Sequence, residues 1–192
     1  MARTPSTMLE LGTLAPHFAL PEPASGKIVS IEEFAGKPLV VAFICNHCPY
    51  VKHIIAQFAA IARRYQEKRI AFVAINSNDV RAYPDDSPAK MVEFSHHYGF
   101  TFPYLFDESQ STAKAYRAAC TPDIYLFDET HHLVYRGQFD GARPHNEIDV
   151  TGLDLTNAID SLLSGLPITP EQKPSLGCNI KWLSGNEPDY FG

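Results

Sequence analysis

The stretch from Pro38 to Tyr65, PLVVAFICNHCPYVKHIIAQFAAIARRY, leaves few folds open to this chain. Leu39 to Ile44 is an unbroken apolar run, rich in β-branched residues and bounded by Gly36 and Pro38, which predicts a buried strand. Val51, Ile54, Ile55, Phe58, Ile61, Ala62 and Tyr65 follow at the spacing of one helix face. Between strand and helix lies Cys45-Asn46-His47-Cys48. A dithiol there meets the free N–H groups and the positive end of the helix dipole, which favour a thiolate over a thiol. The thiolate is the form that attacks disulfides and peroxides.

Pro49 fits the first helical position, where a missing N–H costs nothing. It biases Cys48 away from helical angles, so Cys48 is expected to cap the helix. His47, as an imidazolium, would help hold a neighbouring thiolate, and Cys45 is expected to ionise below the ordinary thiol value. A CxxC also serves as half of a zinc site, but no second CxxC or HxxxH pair is present, and Cys120 and Cys178 are isolated. A metal- or copper-binding module using Cys45, Cys48 and His47 stays as a lesser alternative to redox chemistry. A c-type haem is excluded because Pro49 stands where His is required.

Along the chain, the periodicity predicts a hairpin over Ser25-Gly26, a helical turn at Glu32–Phe34, and a second buried strand over Arg69–Asn76. After the polar loop Ser77–Ser87, a helix opening at Pro88 runs to His97. Tyr104–Phe106 reads as a strand, and Asp107–Ser109 as the cap of a helix reaching Ala118. Ile124–Phe127 and His132–Phe139 form an antiparallel pair, and a last helix from Leu153 ends at Gly165. Strands alternating with helices and then a terminal hairpin imply an α/β fold with a mixed central sheet flanked by helices. One domain over 10–166 and a packed extension over 167–192 follow. Residues 1–10 carry no clear signal.

Net charge is −6 without any Lys/Arg-rich run, which argues against nucleic acid and anionic membrane as partners. The first twenty residues lack the apolar core of a signal peptide, and four Cys in such a chain suggest catalytic or redox thiols in the cytoplasm. There is no GxGxxG or phosphate loop, so no cofactor is implied. Asp85-Asp86, His96-His97 and His131-His132 read as solvated positions, and nothing in the sequence requires Arg143 or Glu147 at a site.

FICNHCPYVKHI, INSNDVRAYPDDSPAKM, CTPDIYLFD and KPSLGCNIKW together resemble a peroxiredoxin-like, AhpC/TSA-type family within the thioredoxin-like superfamily. The resemblance implies a thioredoxin-like fold of the redoxin branch, with an N-terminal β-hairpin. It implies a thiol–disulfide oxidoreductase in which Cys45 attacks a protein or small-molecule disulfide, Cys48 resolves the mixed disulfide, and an external thiol restores the pair. It implies a cis bond at Thr121-Pro122, the turn that would offer backbone groups to substrate. The alternative it carries is a peroxide-reducing antioxidant. Against that, Cys45 stands where a peroxiredoxin has Thr or Ser, and Thr121-Pro122-Asp123 occupies the stretch expected to hold an Arg. The buried acid of a typical thioredoxin is also replaced by an apolar residue near Leu39.

Cys120 and Cys178 are auxiliary thiols on this reading. Ile180, Trp182, Tyr190 and Phe191 can dock the tail and offset the entropy of ordering it. Gly177 permits close backbone approach. Folding back is then expected to bring Cys178 toward Cys120, with plain burial of both thiols as the competing outcome.

Overall fold

A computed structural model of the chain describes residues 3–191. Its strands and helices, in chain order, are β1 (Arg3–Pro5), β2 (Ala19–Glu22), β3 (Lys27–Ser30), β4 (Leu39–Phe43), α1 (Pro49–Gln66), β5 (Ala71–Asn76), α2 (Pro88–His97), β6 (Tyr104–Phe106), α3 (Ser111–Ala115), β7 (Cys120–Thr121), β8 (Asp123–Phe127), β9 (Leu133–Arg136), α4 (Leu153–Leu163) and β10 (Leu176–Asn179). Short 3-10 turns lie at Ile31–Phe34 and Pro84–Asp86.

The central sheet has the order β6-β5-β4-β8-β9. β4, β5 and β6 are parallel, whereas β8 pairs antiparallel with both β4 and β9, so the sheet is mixed as expected. β4 is apolar without alternation because both of its faces are covered. Val40 and Ala42 face Ile54, Phe58, Leu155 and Ile159 of α1 and α4. Leu39, Val41 and Phe43 face Phe18, Tyr116, Tyr125 and Trp182 on the other side. β2 and β3 form the expected hairpin as a separate two-stranded ribbon.

Three sequence expectations change. The helix expected from Asp107–Ser109 to Ala118 shrinks to five residues. Gln110 ahead of it and Arg117 behind it both have left-handed φ, +62° and +50°, which no α-helix accommodates. Asp107 still works at a helix start, but at a distance, its Oδ2 accepting from the Ala113 N–H at 2.9 Å. The first ten residues, blank in the sequence, contribute β1 to a second sheet of order β1-β10-β7. Phe191 does not dock as expected and stays 47% exposed, while Ile180 and Trp182 are buried.

The tail is held by more than apolar area. Lys181 N–H donates to Asn78 Oδ1 at 2.9 Å, and Gln110 Nε2 donates to the Lys181 carbonyl at 2.9 Å. Gly177 is required where β10 crosses the Thr121 turn: a Cβ there would lie 2.0 Å from the Thr121 carbonyl oxygen. Close approach, not a left-handed φ, is the reason for this glycine.

Candidate active site

β4 delivers Cys45 at its carboxyl end, and α1 begins four residues later. Cys48 is the N-cap of α1, with extended angles (φ −66°, ψ 123°), and Pro49 is the first helical residue. Facing them is Thr121-Pro122, whose peptide bond is cis. Cys45 Sγ lies 3.4 Å from Thr121 Oγ1, and the Cys48 thiol donates to the Thr121 carbonyl at 3.1 Å. Both sulfurs are therefore gathered on one residue of the facing turn. Both cysteines are almost wholly buried, at 1% and 0% exposure, so exposure does not single out either as the attacking sulfur.

The acid of the site was not legible as such in the sequence. Asp86, read there as loop solvation, has no exposure at all. Its Oδ1 accepts from the backbone N–H groups of Asn46 at 2.8 Å and His47 at 3.1 Å. Its Oδ2 lies 2.6 Å from His47 Nδ1 and accepts from Asn78 Nδ2 at 2.8 Å. Asn46 is pinned in turn, donating to the Asp85 carbonyl and accepting from the Tyr104 hydroxyl. Tyr83 stacks on the His47 ring with centroids 5.3 Å apart. The CxxC loop is thus tied to the Pro84–Asp86 turn through each of its two inner residues. Burial would raise the Asp86 carboxyl, but the bonds from His47 and Asn78 outweigh it and hold it below the usual carboxylate value.

Two effects divide the charge of the dithiol. Burial pushes the Cys45 thiol up, and its contact with Cys48 and the negative Asp86 add to that. Cys48 goes down, because it accepts from the thiols of Cys178 and Cys45 and lies over the Val51 N–H at the start of α1. Of the two, Cys48 is therefore the sulfur that ionises first, giving up its bond to the Thr121 carbonyl when it does. The low Cys45 value expected from the sequence is overturned by burial beside a carboxylate. His47 Nδ1 is 3.9 Å from Cys45 Sγ, but that nitrogen is bonded to Asp86.

The auxiliary thiols are placed by strand register. Cys178 lies opposite Thr121, and Asn179 opposite Cys120. The Cys120 thiol donates to the Pro122 carbonyl at 3.4 Å, whereas Cys178 joins Cys48 in the core beneath α1. Cys178 and Cys120 come to diagonal positions of the paired strands, but neighbouring positions of a strand point to opposite faces, so their thiols turn apart. Burial holds the Cys120 thiol well above its ordinary value. Arg143, which no sequence feature tied to the site, spends its guanidinium on the carbonyls of Asp140 and Ala142 and on Gln138. Cys45, His47 and Asp86 bring one candidate metal-ligating atom each within 4.8 Å of one another, the set found among the described residues. Both Asp86 oxygens in that set already accept the bonds given above. An open groove of about 520 Å³ runs past the site, bordered by Asn46, His47, Lys52, Phe94 and His97. No helix among the described residues is long and apolar enough to cross a membrane.

Known proteins resemble this chain to different degrees. The solved structure of an uncharacterized conserved protein from Geobacillus kaustophilus is 49% identical, with a TM-score of 0.93 over 95% of this chain and 97% of that one. A hypothetical protein from Sinorhizobium meliloti 1021 is also 49% identical, with a TM-score of 0.92 over 95% of this chain and 100% of that one. A curated relative, the thiol-disulfide oxidoreductase ResA of Geobacillus thermodenitrificans, is 21% identical over 126 residues, 66% of this chain and 68% of its own length. Residues 11–136, from the hairpin through β9 and including the dithiol and the cis-proline turn, match the model of the AhpC/TSA family. With its mixed sheet and strand–CxxC–helix unit, the chain belongs to the AhpC/TSA family.

Proposed function

We propose that this protein is a thiol–disulfide oxidoreductase whose working pair is Cys45 and Cys48, with a protein or small-molecule disulfide as substrate and an external thiol as reductant. The observation that carries this reading is the convergence of both sulfurs on Thr121, beside cis-Pro122, at the start of α1. The likeness to ResA, a thiol-disulfide oxidoreductase, supports it.

Cys45, whose sulfur lies 3.9 Å from His47 Nδ1, makes the first attack. As its sulfur bonds to one substrate sulfur, its proton passes to the Cys48 thiolate and the other substrate sulfur leaves as a thiolate. Cys48 then gives that proton to the departed thiolate through solvent and attacks Cys45 Sγ. The second substrate thiolate leaves, and a Cys45–Cys48 disulfide remains. Two electrons have moved from the dithiol to the substrate. Thr121 and Pro122 serve as the substrate-facing turn.

Cys48→Ser should accumulate a mixed disulfide on Cys45 when mixed with a disulfide peptide, and Cys45→Ser should not. Trapping on Cys48 in the Cys45→Ser protein, with none in Cys48→Ser, would reverse the roles. The peroxide alternative is disfavoured by the Cys45 thiol at the Thr position and by the engaged guanidinium of Arg143. Consumption of the two thiols by hydrogen peroxide is expected to be no faster than that of free cysteine.

A further inference from the structure

β10 threads between β1 and β7, and its placement is tightly fixed. Arg3 lies opposite Cys178 on one side and Thr121 on the other. On the Thr121 side the backbones press together at Gly177, where no side chain fits. Cys178 is 1% exposed and packs in the same core cluster as Cys48, whose thiol donates to the carbonyl of the facing Thr121. The same Thr121 that receives both sulfurs of the dithiol is thus the residue against which β10 sets Cys178. Three sulfurs, those of Cys45, Cys48 and Cys178, share one buried cluster.

We propose that Cys178 is a third redox thiol, exchanging with the Cys45–Cys48 disulfide to form an internal Cys48–Cys178 disulfide. The inference rests on the thiol–disulfide reading of the dithiol. In the step, the sulfur of Cys178 attacks Cys48 Sγ, the Cys48–Cys45 bond breaks, and Cys45 leaves as a thiolate. Cys45 then takes up the proton that Cys178 gave up. One S–S bond is broken and one is formed, so no outside oxidant or reductant is consumed.

The place of Cys178 in the fold is an argument for this source of oxidation. It lies in the same core cluster as Cys45 and Cys48, so the protein's own disulfide is the oxidant set beside it. Once formed, the Cys48–Cys178 bond lies in the core, with both sulfurs buried. The oxidising equivalent is then held away from stray thiols, and Cys45 is returned as the one thiol able to reopen the bond. Cys120 has no part in this, because its register position turns it to the Pro122 carbonyl.

The test uses the full-length chain, oxidised with diamide, quenched with acid, alkylated with N-ethylmaleimide and mapped as peptides without reduction. The oxidised wild type should yield the Cys48 peptide linked to the Cys178 peptide, Cys120→Ala should yield the same link, and Cys45→Ser, which cannot form the disulfide that exchanges, should keep Cys48 and Cys178 as alkylated thiols. A wild type that keeps Cys178 as an alkylated thiol or links it to Cys120, or a Cys45→Ser protein that forms the Cys48–Cys178 link, overturns the proposal. Cys45→Ala repeats the measurement should the serine disturb folding. In the oxidised wild type, alkylation of Cys45 should appear together with the Cys48–Cys178 link and vanish in Cys178→Ala. Equal Cys45 alkylation in the two would also overturn it. The Cys45–Cys48 link in oxidised Cys178→Ala, where no exchange can follow, reports separately on the dithiol reading.

Discussion

His47 Nδ1 and Asp86 Oδ2 meet at 2.6 Å across 39 residues of sequence, and this contact fastens the CxxC loop to the 3-10 turn before α2. The carboxylate has no exposure, and its other oxygen holds two backbone N–H groups of the same loop. One side chain therefore sets both the path of the loop and the direction of the imidazole.

Asp86→Asn keeps an oxygen for the backbone donors but turns an amide toward one of its two Oδ2 partners. A buried donor left without an acceptor costs about 1–3 kcal/mol, and chemical denaturation should show a loss of that order. The negative charge that raises Cys45 is removed at the same time. Cys45 should then titrate lower than in the wild type yet stay above the ordinary thiol range, because burial remains. An unchanged or higher Cys45 value would contradict the placement of Asp86.

The acid limb of stability follows from the same carboxylate. Its folded pKa lies below its unfolded one, so its contribution is complete above the ordinary carboxylate value and is lost as pH falls through the folded pKa. In wild-type protein the denaturation midpoint should decline as pH drops below about 4. In Asp86→Asn that decline should be shallower.

Asp123 behaves in the opposite sense. Its full burial raises the carboxyl to about 6, with the bond from the Ala119 N–H opposing. A folded pKa above the unfolded one gives stability that is present at low pH and lost as pH rises through about 6. The loss is on the order of 3 kcal/mol at neutral pH. Asp123→Asn, which can still accept from Ala119, should flatten this slope between pH 4 and pH 7. A slope equal to that of the wild type would remove Asp123 as its source.

Cys178 is the first contributor to the low value of Cys48, through its thiol. Cys178→Ala should raise the Cys48 pKa on the order of one unit, equivalent to about one hydrogen bond. Thiolate absorbance followed against pH measures this directly. An unshifted curve would mean that Cys45 and the helix start hold the thiolate alone.

Gly177→Ala places a methyl group 2.0 Å from the Thr121 carbonyl oxygen, and backbone must move to relieve it. The expected cost is about 1–3 kcal/mol, read as a lower denaturant midpoint. Cys48 should also become easier to alkylate as β10 is pushed off the turn.

The sequence made β4, the dithiol and α1 legible because hydrophobic period and Pro49 agree on one answer there. It also foretold the cis turn, through family resemblance, and the docking of the tail through Ile180 and Trp182. Asp86 stayed hidden because Asp in a loop with Pro84 has the same appearance whether it is solvated or buried under Asn78 and His47. β1 and β10 stayed hidden because Arg3–Pro5 and Leu176–Asn179 are short and carry little hydrophobic period. They exist by pairing with each other and with β7. The partner of Cys178 depended on a single step of register, which composition does not encode.

The position of β10 in the chain bears on how the protein matures. During synthesis, Cys45 and Cys48 leave the ribosome well over a hundred residues before Leu176–Asn179 follows to fill the gap between β1 and β7. Until then Thr121 lacks its cross-strand neighbour, Cys48 lacks the Cys178 thiol, and β1 has no strand to pair with. A nascent chain thus carries a dithiol whose thiolate is less stabilised than that of the finished protein. Completion of the last strand brings the N-terminal segment, the cis turn and the dithiol into register together, and the reactivity of the pair is set at that moment.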